Sequence, residues 1–418
     1  MDLVIEGRFY IDGKLKDTAV GIEDGKIVTV GNIVRGGDER INLGSRIILP
    51  GFMDPHVHFR DPGLTKKEDF RSGTMSALFG GHTCVLDMPN TVPPVTDVRR
   101  LKEKKAEISS KAYVDYGLFA ALSPGCDPVS MAPMVCGFKL FMGSTTGNIL
   151  MNDDRQIYEV MRAVAKTDRV VSVHAEDNNM IVKGQENSNW DHLKDRPLSA
   201  EHNAVRRLSP YKGMRVNICH VTDAGTLDMA ASLGFTTEVT MHHLLLCAED
   251  STTAETKVNP PLRNRAVRDG LVKAFMEGKA TMFGSDHAPH MYTEKCQDYD
   301  SAPGGIPSVE TNIPMLMSMV KHSMLPLEAV VRMGAENPAR RFGVNKGRIA
   351  VGYDADFSVF DMSKQSTIDV DRLHSRAGYS PYEGREAIFP DTVIIRGGIQ
   401  LDSGEFCGGN IGEDVRAD

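Results

Sequence analysis

Cysteine is scarce: seven among 418 residues, an odd number with no two in a CxxC spacing. That excludes a disulfide scaffold and a cysteine-rich zinc site, and a reducing compartment suits such a chain. Long apolar runs are missing as well. The longest, residues 118–122 and 244–248, have five residues, against the roughly 20 that span a bilayer. Nor is there a basic excess, since 48 Lys plus Arg stand against 56 Asp plus Glu for a net charge of −8. The one dense basic stretch, residues 99–105, mixes in acid and reads as a solvated helix face, so neither a nucleic-acid nor a membrane partner is expected. The start, Met1-Asp2-Leu3-Val4-Ile5-Glu6, lacks a basic segment followed by an apolar core, and a cytoplasmic protein is expected. Disorder is excluded too: 41% hydrophobic residues plus 39 glycines reach the usual globular fraction of about half.

What the chain does have is a regular alternation. Eight short apolar, β-branched runs end near His58, Met88, Ala120, Phe141, His174, His220, Met241 and Gly284. Between them lie segments of helical periodicity, among them 68–79, 97–109, 155–166, 224–233 and 266–277. Eight strands alternating with helices predict an α/β fold, a (β/α)₈ TIM-like barrel over residues 51–342. The flanks, 1–50 and 343–418, carry glycine turns and short alternating strands, and are expected to join into a small β-sandwich domain formed by both termini. Helices over 306–322 and 326–342 would bridge the two.

Chemistry concentrates at the predicted strand ends. His56-Val57-His58 places two imidazoles on one face, because alternate strand residues point the same way. At the C-terminal end of a barrel strand they would face the mouth where such folds keep their active sites. His174, His220 and Asp286 also close predicted strands. Each alone fits a hydrogen-bonded histidine or a helix cap; four histidines and a carboxylate together suit Zn²⁺ or another borderline divalent ion. Lys139 sits inside the apolar run Gly137-Phe138-Lys139-Leu140-Phe141. It either snorkels to the rim or is buried as a neutral amine, which can take up CO₂ as a carbamate. His82, His192, His202, His322 and His374 fall in predicted helices or loops and are expected to be surface or structural residues. His242 and His243 are ambiguous, and His287 is left out of the ligand set.

These residues carry a resemblance. The stretch Pro50-Gly51-Phe52-Met53-Asp54-Pro55-His56-Val57-His58-Phe59-Arg60-Asp61-Pro62-Gly63, with Asp87-Met88-Pro89-Asn90, Asn259-Pro260-Pro261-Leu262-Arg263, Ser285-Asp286-His287-Ala288-Pro289-His290 and Gly352-Tyr353-Asp354-Ala355-Asp356, resembles the dihydroorotases of the amidohydrolase superfamily. The likeness implies two divalent metal ions, taken as Zn²⁺. His56, His58 and Asp286 would hold one and His174 and His220 the other, bridged by a CO₂-derived carbamate on Lys139. It implies a substrate carboxylate bound by Arg60, Asn90 and His290, with Asn259 on the ring amides and Pro303 and Gly304 beside the ring. Arg60 could instead pair with Asp61 or Asp69, and Gly304 with Gly305 could be a plain hinge. Asp286 would be the catalytic base and acid. The implied reaction is the reversible cyclisation of N-carbamoyl-L-aspartate to dihydroorotate in pyrimidine synthesis. A homodimer and a transcarbamoylase partner are both open. The rivals are another cyclic amidohydrolase, such as an allantoinase, hydantoinase or dihydropyrimidinase, and an inactive scaffold subunit, whose mark would be missing ligands.

Overall fold

The computed structural model describes residues 1–145 and 149–416. Its centre is a parallel sheet of eight strands in strict sequence order: Phe52–Val57, His82–Asp87, Asp115–Ala121, Gly137–Phe141, Val170–His174, Val216–Ile218, Thr236–Val239 and Met282–Phe283. The first and last meet where the His58 amide donates to the His287 carbonyl at 2.7 Å, beside a parallel bridge between Val57 and His287. Val170-Val171-Ser172-Val173 shows why such segments become barrel strands: its residues are buried on both faces, the condition of a parallel sheet enclosed by helices.

The intervening helices start where a short polar side chain can accept from an orphan amide. Asp97 accepts from Arg100, Asp153 from Gln156, Asp223 from Thr226 and Asn264 from Val267. Asp69 and Ser72 form a reciprocal cap at the helix Phe70–Phe79. All five predicted barrel helices are present within a few residues of their expected limits. The bridge segment 306–322 is helical only over Asn312–Lys321. The segment 326–342 is interrupted by a π-helical turn at Arg332–Glu336, just before Pro338, which has no amide to donate into the preceding turn.

Both termini build one eight-stranded sheet. It runs from Glu405–Phe406, Gly398–Asp402, Thr392–Ile395 and Phe357–Phe360 to Glu39–Pro50, Leu3–Ile11, Lys14–Glu23 and Lys26–Gly31. Its core of Leu3, Ile5, Phe9, Val20, Ile48, Phe357 and Ile394 is separate from that of the barrel. The last residues leave this sheet and return to the barrel, the Tyr116 amide donating to the Glu413 carbonyl at 2.9 Å and the Val415 amide to Tyr116 at 2.8 Å. Lys346, buried, joins the same region by meeting Asp115, Asp354 and Asp356 at 2.7, 2.9 and 2.7 Å.

Candidate metal and substrate site

One cavity opens among the strand ends, lined by His56, His58, Arg60, Asn90, Lys139, Phe141, Thr145, His174, His220, Asn259, Asp286, Ala288, Gly304 and Gly305. Residues predicted from eight separate stretches of sequence therefore meet at one place. Pro303 and His290 are not among the lining residues; His290 touches Arg60 and Gly304 of the lining, as described below, and the Pro303 carbonyl accepts from Lys295 Nζ at 2.9 Å.

The first strand delivers His56 and His58, and the turn after the eighth delivers Asp286. Asp286 Oδ1 lies 3.3 Å from His56 Nε2 and 3.1 Å from His58 Nε2. The far nitrogens are engaged elsewhere: His56 Nδ1 contacts Glu238 Oε2 at 2.8 Å, and His58 Nδ1 contacts Asn90 Oδ1 at 2.6 Å. Burial, foremost, holds His56 down to about 3 and His58 to about 4, so both rings are neutral. A neutral ring that donates through Nδ1 bears a lone pair on Nε2. Two lone pairs thus face one carboxylate oxygen, which repels unless a cation lies among them. The donor set fits a divalent metal.

His174 and His220 form a pair beside this triad, with His174 Nδ1 3.1 Å from His220 Nε2 and the His220 ring centre 5.4 Å from that of His56. Burial lowers both imidazoles. His174 Nε2 is fixed at 2.7 Å by Glu176 Oε2, which Arg196 anchors from behind. The ring nitrogen His220 Nδ1 has no hydrogen-bond partner among the described residues.

Lys139 does not snorkel. It is fully buried, its Nζ 3.4 Å from His56 Nε2 and 3.0 Å from Cys219 Sγ, and it forms no ion pair among the described residues. Arg60 is likewise buried and is not paired with its acidic neighbours: Asp61 takes Lys111 at 2.9 Å and Asp69 takes Arg376. Its Nε has no partner among the described residues, and burial lowers the guanidinium to about 10. Asn259 accepts from His192 Nε2 at 2.9 Å. Gly304 packs so closely on Asn259 that a Cβ would come within 2.9 Å of its amide nitrogen, and a Cβ on Gly305, at φ +133°, would meet the Ala288 carbonyl at 2.4 Å. These are contact positions that exclude side chains, rather than a plain hinge. Arg60, His220 and Asp286 also share an unusual backbone, with φ of +61°, +39° and +48°. Left-handed residues at strand ends turn the chain sharply and aim the side chain into the mouth.

Sequence reasoning missed the supporting groups. Cys219, Glu238 and Glu176 are all buried; His192 is buried too, in keeping with the structural half of its expectation. The available signal was polarity inside a strand: Glu238 stands in an otherwise apolar or β-branched run, and Cys219 directly precedes a ligand candidate. His82, expected in a helix or loop, begins the second barrel strand and is buried. His242 and His243 sit on the short helix Met241–Leu245 beside the mouth.

Comparison with known proteins agrees with this geometry. The amidohydrolase family matches residues 47–399. A dihydroorotase of Thermoplasma acidophilum is 35% identical over 96% of this chain and 95% of its own length. One from Pyrococcus furiosus is 36% identical over 99% and 96%. Among solved structures, an L-hydantoinase (dihydropyrimidinase) from Arthrobacter aurescens superimposes with a TM-score of 0.93 at 25% identity, over 99% of both chains. With strand-end histidines, a buried lysine and a carboxylate gathered at the mouth of a (β/α)₈ barrel, this chain belongs to the amidohydrolase family, on its dihydroorotase branch.

Proposed function

We propose that the enzyme is a dihydroorotase, reversibly closing N-carbamoyl-L-aspartate to dihydroorotate with loss of water. The observation that carries this reading is the buried Arg60 guanidinium, which lines the cavity without a counterion from its own loop and has an unpartnered Nε. A guanidinium grips a carboxylate through parallel hydrogen bonds, and dihydroorotate carries one where a hydantoin ring carries none.

His56, His58 and Asp286 would hold one divalent ion, His174 and His220 a second, and Lys139 would stand between them. We take the ions as zinc, in keeping with imidazole and carboxylate donors. When bound, they supply Lewis acidity and a water of lowered pKa. Lys139 Nζ adds to CO₂, forming an N–C bond and releasing a proton, so that a buried amine becomes an anion able to bridge two cations. Asn90 and Glu238 hold His58 and His56 by their Nδ1 atoms and thereby fix which nitrogen each presents. Asp286 takes a proton from the attacking water. It then gives that proton to the departing ring nitrogen. Arg60, backed by His290, holds the substrate carboxylate; Asn259 and the bare backbone at Gly304 flank the ring.

The rival reading is a hydantoinase, favoured by the close superposition on hydantoinase structures. An inactive scaffold has no support, since every expected ligand position is filled. A panel of dihydroorotate, hydantoin and allantoin on metal-replete protein tests all three: dihydroorotate should be used best, and a preference for hydantoin would overturn the proposal. A cytoplasmic homodimer, and a transcarbamoylase docked on it, extend the same proposal to assembly, and light scattering with and without that enzyme tests both.

A further inference from the structure

His290 stands behind the cavity wall, 1% exposed, between two basic side chains of one loop. Arg60 and Lys67 are brought to it by a fold in that loop, the Leu64 amide donating to the Arg60 carbonyl at 3.0 Å and the Lys67 amide to Leu64 at 2.9 Å. Lys67 Nζ lies 2.9 Å from His290 Nδ1 and 2.8 Å from Glu294 Oε1. On the other side His290 Nε2 lies 3.1 Å from the Gly304 carbonyl and 3.3 Å from Arg60 Nη2.

An ammonium only donates and a carbonyl only accepts. The Lys67 ammonium therefore calls for a lone pair on Nδ1, which leaves the proton on Nε2 for the Gly304 carbonyl; Arg60 Nη2, itself a donor, pulls Nε2 the other way, so the Lys67 contact decides. Glu294 does not compete for Nδ1, since its nearer oxygen is 3.9 Å away. In the opposite tautomer Nε2 would carry a lone pair. That lone pair would oppose the Gly304 carbonyl and accept from Arg60 Nη2, drawing the guanidinium fork back from the cavity.

We propose that Lys67 is a positioning residue that locks His290 in the Nε2–H tautomer, and so keeps both edges of Arg60 available to a substrate carboxylate. The proposal rests on the dihydroorotase reading for the identity of that carboxylate, but the tautomer does not depend on it. It also makes the pocket selective: a neutral ring has no use for Arg60 and gains nothing from Lys67.

The test combines ¹⁵N-histidine NMR of the metal-replete enzyme at pH 8, with the His290 signals assigned by their loss in His290→Gln, and steady-state kinetics of Lys67 variants. In the unmutated enzyme His290 should be protonated on Nε2 alone. Lys67→Met should admit the Nδ1–H form and raise KM for dihydroorotate about tenfold, the size of one charge-assisted hydrogen bond, while kcat changes less than about twofold. Lys67→Arg, which can only donate to Nδ1, should restore both tautomer and KM, and the tautomer signal separates this from a general structural or charge role. Turnover of hydantoin should be indifferent to both Lys67 variants. A proton on Nδ1 in the unmutated enzyme, or Lys67→Met with unchanged tautomer and KM, overturns the proposal. An unmutated enzyme silent on dihydroorotate overturns the functional reading instead, while the NMR result still decides the role of Lys67.

Discussion

Glu238 Oε2 lies 2.8 Å from His56 Nδ1, reaching it from the seventh barrel strand to the first. The same carboxylate receives Asn217 Nδ2 on its other oxygen at 2.5 Å, so three strands combine to set the orientation of one imidazole. A ligand histidine oriented in this way presents a fixed nitrogen without paying rotamer entropy at the moment of binding.

Glu238→Ala should therefore weaken metal binding by about 10- to 100-fold, the usual cost of losing such a partner. Titration of the apoprotein with Zn²⁺ against a competing chelator measures it. Unchanged affinity would reduce Glu238 to core packing.

Lys139→Ala removes the proposed bridge between two cations, which need an anion between them. Most bound metal or most activity should go, and short carboxylic acids should restore part of the turnover. Metal analysis beside kcat, with and without propionate, reads both. Near-normal activity without an additive would show that no bridge is formed there.

Arg60→Met should keep the metal content and lower kcat/KM for dihydroorotate roughly 10- to 100-fold, since one or two hydrogen bonds to a charged group are lost. Hydantoin should serve as the internal control. Equal losses on both substrates would make Arg60 a structural residue.

Asp286→Asn keeps the shape and one oxygen but cannot carry a proton. Its kcat should fall about 10²- to 10⁴-fold in both directions, with metal content measured on each preparation. A variant that retains its metals and nearly full rates would leave Asp286 a ligand only, and His290 would be the next residue to test.

His82 offers a prediction about stability. Burial, chiefly, brings it from 6.5 to about 3 in the folded chain. Below pH 6.5 the unfolded chain binds a proton that the folded one refuses, so the stability contributed by neutral His82 is present above 6.5 and lost as pH falls toward 3. As pH falls through that window the unmutated protein should lose stability relative to His82→Leu by about 1.4 kcal/mol per pH unit. Denaturant unfolding at pH 7.5, 6 and 5 reads it, and parallel curves would refute it.

The barrel was legible because its evidence is periodic. Runs such as 170–174 and the caps at Asp97 and Asp223 follow local rules, and local rules are visible in a chain. The strand-end histidines were legible for a related reason, since each ends an apolar run and HxH puts two on one face. Glu238, Glu176 and Cys219 were not, because nothing local distinguishes a polar residue that supports a ligand from one that fills a gap. Their meaning depends on partners up to 182 residues away, as Glu238 is from His56. Pro303 and His290 were named through resemblance, which gives a position in the chain, while the packing around Gly304 and Arg60 decides what reaches the cavity.

The left-handed backbone at Arg60, His220 and Asp286 sets this chain apart from the most durable sequence its own fold could carry. Each costs about 1 kcal/mol relative to glycine, which alone occupies that region freely. Glycine at all three would relax the rim and erase a cation, an imidazole and a carboxylate from the mouth. The backbone at these three turns would favour glycine, while the chemistry of the mouth needs the side chains that stand there, so the rim trades local backbone ease for its functional groups.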